Sequence, residues 1–368
     1  MGGPPQPSRK IQRSVPPGSA AVPGRPTSFL AYDLNRTLER LPGSSIFPLR
    51  FPQSVLHFDD VVVSFDHRDR RCWIVSTGWP EQDPARRAER ARRRADELAA
   101  LFARPSSGTI FPAMAGAWHS NFSREGFTAA VRRIIKSILT GDIFQANIAQ
   151  RFSARVSPLF DPFTFYCQLR SLNPAPFAAL LRYDKLTIAS SSPERFLKLV
   201  GRQVETRPIK GTIARAADPG EDRRRADALL ASEKDRAESI MIVDLPRNDL
   251  SRVCTDNSVE VAALCSLESY ASVHHLFLSV RGELAAGQDV VSLLRACFPG
   301  GSVTGAPKVR AMQIIVAIRT VIIDDGLAQF HAGSGITAMS NPEAEYEETL
   351  VKAQRLFDAF NADLSGAF

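Results

Sequence analysis

Long apolar runs are missing from this 368-residue sequence: no window approaches the ~20 consecutive apolar residues that a membrane-spanning helix needs. The first residues, MGGPPQPSRKIQRSVPPGSAAVPGRP, contain no apolar segment of the kind that drives secretion, which argues against a secretory signal. Cysteine is scarce: Cys72, Cys167, Cys254, Cys265 and Cys297 are dispersed, odd in number and never spaced CxxC. That pattern fits a reducing, cytoplasmic setting better than a disulfide scaffold or a zinc site. Lysine is scarce too. Of 46 basic residues only eight are lysines and 38 are arginines, a bias that fits an arginine-favouring genome. Strict strand–helix alternation, internal repeats and a Gly-Lys-Ser/Thr phosphate loop are all lacking.

What is present is an ordinary globular composition, 44% hydrophobic, with a net charge of +7. The Arg-rich run ARRAERARRRADELAALF (85–102) has no interleaved aromatic residues for stacking bases. It reads as a solvated helix with Leu98 and Leu101 turned inward, not as a nucleic-acid arm. Residues 1–27, rich in Pro, Gly and Ser, read as a disordered tail. Residues 28–110 form a first region of short strands and hairpins closed by the Arg-rich helix, and 115–368 a second, larger region. There Ser123 caps a helix with Phe127, Val131, Ile134, Ile135 and Ile138 at helical spacing, ended by Gly141. IFQANIAQRFSARV (143–156) alternates as a strand, and 176–209 reads as several more. EDRRRADALLASEKDRAESIMIVDLPRNDL (221–250) reads as one long helix ending near Pro246, and Asn341-Pro342 open the last helix. The class is α+β.

Two helices carry acidic residues three apart, Asp235/Glu238 and Glu345/Glu348, each pair on one helix face. Brought together, two such faces make an all-oxygen site of the kind Mg²⁺ prefers; taken singly, such pairs are commonly solvated surface. Lys352 is one turn beyond Glu348. FPGGSVTGAPK (298–308) offers amides and hydroxyls suited to an anion, as does HAGSGI (331–336). His274 and His275 are adjacent on a strand and so point to opposite faces. Lys210 ends an apolar stretch between Pro-Ile and Gly-Thr, and Glu194 follows Ser-Ser-Pro. A lysine acts as a nucleophile only when its amine is deprotonated by desolvation or a nearby cation, and a carboxyl close by can protonate a leaving hydroxyl. A lysine at a surface turn is the competing reading.

Together and in this order, GDIFQANIAQRF (141–152), SSPERFL (191–197), TRPIKGT (206–212), KDRAESIMIVDLPRNDLSRV (234–253), VHHL (273–276), FPGGSVTGAPKVRAM (298–312), AGSGI (332–336) and PEAEYEETLVKA (342–353) resemble the chorismate-utilising enzymes. These include anthranilate synthase component I, aminodeoxychorismate synthase component I, and the isochorismate and salicylate synthases. The resemblance implies two large antiparallel sheets packed as a sandwich with surrounding helices. Within the resemblance, lysine before Gly-Thr is the mark of aminodeoxychorismate synthases, where anthranilate and salicylate synthases carry alanine. Gln145 stands where water-activating members carry lysine. The resemblance further implies that Lys210 attacks C2 of the chorismate ring and Glu194 protonates the departing C4 hydroxyl. Ammonia from a glutamine amidotransferase subunit then adds at C4 and expels the lysine, giving 4-amino-4-deoxychorismate, the precursor of p-aminobenzoate and folate. By the same resemblance Asp235, Glu238, Glu345 and Glu348 hold Mg²⁺. Gly211, Thr212, His275, Ser302, Arg319, Gly333, Ser334, Gly335 and Lys352 bind substrate. Two departures stand out. The first region is shorter than the family's N-terminal lobe. AMQIIVAIRT (311–320) also joins directly where the family inserts a hairpin, an internal deletion expected to expose strand edges. Anthranilate synthesis, or a chorismate-binding remnant of impaired activity, remain the alternatives.

Overall fold

The structure is a computed structural model that describes residues 11–12, 26–41, 51–104, 115–270, 273–313 and 320–361. The chain divides into two compact units, residues 1–34 with 52–109, and residues 35–51 with 110–368.

In the first unit, β1 (Ile11–Gln12) pairs parallel with β5 (Arg71–Ser76), and β5 pairs antiparallel with β4 (Val61–Asp66). β2 (Pro26–Leu30) and β3 (Ser54–Phe58) pair antiparallel as a separate two-stranded sheet. The tail expected over 1–27 therefore gives way at Ile11–Gln12 and Pro26–Thr27; residues 1–10 and 13–25 lie outside the described residues. Cys72, Trp73, Ile74 and Val75 are buried. The Arg-rich segment is helix α1 (Pro84–Phe102), capped by Asp83, whose carboxylate accepts from the Arg86 amide. Arg90 and Arg94 converge on Asp60 at 2.9 and 3.0 Å, and Arg94 first of all holds that carboxyl below its ordinary value. Leu98 is half-buried, but Leu101 is 54% exposed, so the inward stripe expected of this helix is narrower than the sequence suggested.

The second unit holds β6 (His119–Ser120), α2 (Arg124–Leu139), β7 (Gln145–Arg155), α3 (Pro162–Leu172), β8 (Phe177–Arg182), β9 (Leu186–Ser192), β10 (Arg195–Val200), β11 (Gln203–Arg207), β12 (Ile209–Ala214), α4 (Pro219–Ala231), α5 (Glu233–Ser251), β13 (Glu260–Ser269), β14 (Val273–Glu283), α6 (Val290–Cys297), β15 (Gly305–Ala306), α7 (Lys308–Met312), β16 (Thr320–Asp324), β17 (Leu327–Ile336) and α8 (Pro342–Ala359). They form two large antiparallel sheets with helices against them, as the sequence led one to expect. The larger runs β15-β7-β17-β16-β9-β8, with β6 also on β7. In the smaller, β14 is central: β13 pairs along one edge, β11 and then β12 along the other.

Each sheet has its own core. Phe152, Phe330, Phe357, Phe360, Phe165 and Trp118 join β7 and β17 to α3 and α8 in mostly edge-to-face contacts with centroids 4.1–5.3 Å apart. Phe127, Val131 and Ile134, the inward stripe of α2, meet Ile148 and Ile336, with Ser123 as the cap. Ile242, Leu250, Leu278, Val280 and Leu293 bind α5 and α6 to the smaller sheet.

Two expectations are corrected. The single helix over 221–250 is two, because Ser232 takes an extended conformation and its hydroxyl caps α5 on the Asp235 amide. Pro246 does not end α5 but lies inside it, leaving Ile242 without an amide partner one turn on. The join at 311–320 was expected to expose strand edges, yet β16 has both edges paired, to β9 and to β17. Residues 314–319 lie outside the described residues.

Asp222 is the hub that ties α4 to the end of β12. It accepts from the Arg215 guanidinium at 2.6–3.2 Å, from the Ala216 amide at 3.0 Å and from His274 Nε2 at 3.0 Å. Arg215 chiefly, then the amide, holds its carboxyl far below the usual range. A depressed folded pKa gives stability that is present above the unfolded value, about 4, and lost as pH falls through the folded one. Asp222→Asn is therefore expected to lower Tm at neutral pH and to flatten its fall on acidification, read by circular dichroism melts across the acid range. Parallel curves for variant and parent would contradict this.

Candidate active site

Glu194 and Lys210 meet on one residue. The turn before β10 is fixed by Ser192, whose hydroxyl donates to the Glu194 carbonyl and accepts from its amide. This directs the Glu194 carboxylate to Ser302, whose hydroxyl donates to it at 2.5 Å. From β12, the Lys210 ammonium reaches the Ser302 carbonyl at 3.4 Å. Ser302 thus carries the acid on its side chain and the amine on its backbone. It sits in a 3₁₀ turn, Gly301–Val303, between α6 and β15. Asn147, on β7, clamps that turn by donating to the Ser302 and Thr304 carbonyls at 3.3 and 3.0 Å. The turn therefore links the two sheets: β15 pairs with β7 in the larger, while Ser302 bonds Lys210 on β12 of the smaller.

Gly211 makes the bulge that orients this strand. Before it, Lys210 pairs opposite Leu276; after it, Thr212 pairs opposite His275. Thr212 Oγ1 and His275 Nδ1 are 2.7 Å apart, and His275 is buried. His274, on the other face, has partners of its own in Ser269 and Asp222, as the alternation of a strand requires. Gly211 has φ +60°, and a Cβ there would lie 3.1 Å from Leu229 Cδ1 and 3.2 Å from Asp235 Oδ1. The left-handed backbone alone costs an L-residue about 1–2 kcal/mol. Gly211→Ala is accordingly expected to lower Tm by roughly 2–8 °C and to displace Lys210. A melt and a turnover assay both unchanged would refute this.

The second group of expected residues gathers on β17 and α8. Both oxygens of the buried Glu345 accept serine hydroxyls: Ser334 on one, Ser340 at 2.7 Å on the other. Lys352 pairs with Glu348 and donates to the Gly333 carbonyl at 3.3 Å. A Cβ on Gly335 would lie 2.2 Å from Gln145 Nε2, so this glycine exists to let the fully buried Gln145 amide fit; neither polar atom of that amide has a hydrogen-bond partner among the described residues. Asp235 is bonded to Ser232 at 2.5 Å, and Glu238 is half-buried one turn on. Among the described residues no three His, Cys, Asp or Glu side chains converge to hold a metal, so the four carboxylates expected as ligands do not form one cluster. Their chemistry still suits a hard cation that needs only one or two protein carboxylates. Arg319 lies outside the described residues.

Several residues that build the site were not singled out from sequence: Ser192, Asn147, Ser340, and the buried pair Asp249–Lys308. Asn147 had a legible signal, a carboxamide within the apolar strand ANIA; the others are hydroxyls and charges whose partners are distant in sequence. No helix among the described residues is long and apolar enough to cross a membrane.

The chain is 37% identical over 360 residues to aminodeoxychorismate synthase component 1 of Klebsiella aerogenes, covering 90% of this chain and 76% of that one. It is 36% identical over 392 residues to anthranilate synthase component 1 of Streptomyces coelicolor, covering 95% and 75%. Its fold matches the crystal structure of anthranilate synthase component I from Streptococcus pneumoniae with a TM-score of 0.79 at 27% identity, over 94% of this chain and 82% of that one. The profile of the chorismate binding enzymes matches residues 10–316 and 315–358, two segments that meet within 311–320, where the direct join was read from sequence. With matches spanning nearly its whole described length, the chain belongs to the chorismate binding enzyme family.

Proposed function

We propose that the chain is the chorismate-converting component of an aminodeoxychorismate synthase. It would form 4-amino-4-deoxychorismate from chorismate and ammonia, the ammonia supplied by a glutamine amidotransferase partner. The observation that carries this reading is the convergence of the Lys210 amine and the Glu194 carboxylate on Ser302. A nucleophile and an acid held by one backbone unit suit a displacement in which one group attacks the ring while the other protonates what leaves.

In the first step the deprotonated Lys210 amine forms a bond to C2 of the ring. Both ring double bonds shift, C1=C2 to C1=C6 and C5=C6 to C4=C5, and the C4 hydroxyl leaves as water with the Glu194 proton. Ammonia then bonds to C4, both double bonds shift back, and the Lys210 amine departs from C2. No electrons are gained or lost overall. Thr212 and His275, joined at 2.7 Å, flank the lysine and orient the substrate. Glu238 and Glu348 would hold Mg²⁺, with Asp235 and Glu345 as supports, since both oxygens of Glu345 are already taken by serine hydroxyls. When bound, the ion would neutralise the ring carboxylate. Water is a poor competitor here because the side chain over Gly335 is the Gln145 amide, which is no base.

The relatives named above include anthranilate synthases, so the product decides. The protein is incubated with chorismate, Mg²⁺ and an ammonium salt, which removes the need for a partner, and the products are separated and weighed. Aminodeoxychorismate without pyruvate is the expected result; pyruvate with a fluorescent aromatic acid would assign anthranilate synthesis instead.

A further inference from the structure

A buried ion pair lies beneath the Ser302 turn and has no part in the chemistry above. Lys308, the first residue of α7, reaches back across the turn. Its ammonium lies 2.5 Å from Asp249 Oδ2 on α5 and donates to the Cys297 carbonyl at 3.2 Å, where the turn begins. The side chains are only 13% and 7% exposed. Burial pushes the Asp249 carboxyl up against the pull of Lys308, and pushes the neighbouring Cys297 thiol up to about 12. Taking two charges out of water is costly, and an apolar pair of the same shape is commonly as stable or more so. Stability is therefore a poor reason for this pair, and its geometry is the better one. Lys308 ties the two ends of the turn to each other and to α5. The turn itself is seated on α5 closely enough that a Cβ on Gly301 would fall 2.7 Å from Leu245 Cβ. The adjoining cavity, bounded by Glu194, Thr206, Asp249, Cys297 and Ser302, has a volume of about 20 Å³. That holds about one water and no ring-sized substrate. The pair thus has no access to the reacting molecule and acts through the turn.

We propose that Lys308 and Asp249 form a clasp that fixes Ser302, and through it sets the spacing of Glu194 and Lys210. They are positioning residues for the displacement, and in that respect the inference rests on the function proposed above. A misplacement of about 1 Å in such an array costs about a hundredfold in rate.

The test uses the full chain. Lys308→Met alone leaves an unpaired buried carboxylate and unfolds readily, so the informative variant is Lys308→Met with Asp249→Leu, which keeps volume and removes both charges. It should fold, with a Tm at or above the parent's. KM for chorismate should change less than about twofold while kcat falls by about 10- to 100-fold. On a Ser302→Ala background the same double substitution should lower kcat by a smaller factor than in the parent, because the Glu194 branch through the hydroxyl is already lost while the Lys210 branch through the backbone carbonyl remains. Amide hydrogen exchange across 298–307, measured without substrate, should accelerate in the double variant. Unchanged kcat, or an equal loss with and without Ser302, would overturn the clasp. If the parent turns over no chorismate, the proposed function fails on its own account. The exchange measurement then decides the clasp alone, and unchanged exchange rejects it.

Discussion

Lys210→Ala should reduce aminodeoxychorismate formation by on the order of a thousandfold or more, with little change in Tm. The two halves of that expectation come from different features. Structurally, Lys210 is half-buried on β12 and its ammonium reaches the Ser302 carbonyl over a long 3.4 Å, and alanine keeps the backbone pairing of the strand, so the substitution should perturb the fold little. Chemically, the proposed displacement has no other nucleophile. Lys210→Arg separates charge from nucleophilicity: a guanidinium keeps the cation but is never deprotonated in proteins, so this variant should be as slow as the alanine variant. Glu194→Gln keeps an acceptor for the Ser302 hydroxyl but has no proton to give the leaving group; a loss of 10²- to 10⁴-fold is expected, about what general acid catalysis contributes. Rates are followed by coupled product detection at saturating ammonium, with melts run in parallel. A Lys210→Ala protein that melts like the parent and turns over at a comparable rate would remove the covalent step from the mechanism.

Much of this site was visible in sequence, for reasons that differ from residue to residue. Lys210 stood out because it is a cation at the end of an apolar, strand-like stretch, between Pro-Ile and Gly-Thr; the bulge beside it was not legible there. The structure puts a bulge at Gly211, with φ +60°. Alternation placed His274 and His275 on opposite faces before either partner was known. Helical spacing gave α2 and the opening of α8 with their caps, Ser123 and Asn341. What was hidden is non-local. The break between α4 and α5 turns on a single backbone conformation at Ser232, and helix formers on both sides conceal it. Leu101 sits on the apolar side of α1 by periodicity, but which stripe is covered depends on the strands it meets. The expectation of exposed edges at the 311–320 join treated the lost hairpin as irreplaceable, whereas β16 pairs directly with β9 on one side and β17 on the other. Antiparallel pairing needs only a strand of matching length and alternation, and Thr320–Asp324 shows it, with Val321 and Ile323 buried and the residues between them half-buried.

Lys352→Met should bind Mg²⁺ more tightly than the parent when chorismate is absent, and chorismate more weakly when Mg²⁺ is present. Both directions follow from one contact. In the structure Lys352 pairs with Glu348, a proposed ligand of the ion, and is tethered to the Gly333 carbonyl at 3.3 Å. Before substrate arrives, lysine and Mg²⁺ therefore compete for the same carboxylate. The pair is partly exposed, 26% and 46%, so it is worth no more than about 1 kcal/mol, and removing it should improve Mg²⁺ affinity by up to about fivefold. When chorismate binds, its carboxylates offer Lys352 a new partner and release Glu348 to the ion, which makes metal and substrate binding mutually reinforcing. The variant loses that coupling, because it has no cation to transfer. Glu348→Gln should weaken Mg²⁺ binding by tenfold or more, while Glu345→Gln, already satisfied by Ser334 and Ser340, should act mainly on Tm through its buried hydroxyl contacts. Isothermal titration of Mg²⁺ with and without chorismate reads all of these without turnover. Equal Mg²⁺ affinity in Lys352→Met and parent, or a Glu348→Gln protein that still binds the ion at full strength, would move the metal away from α8.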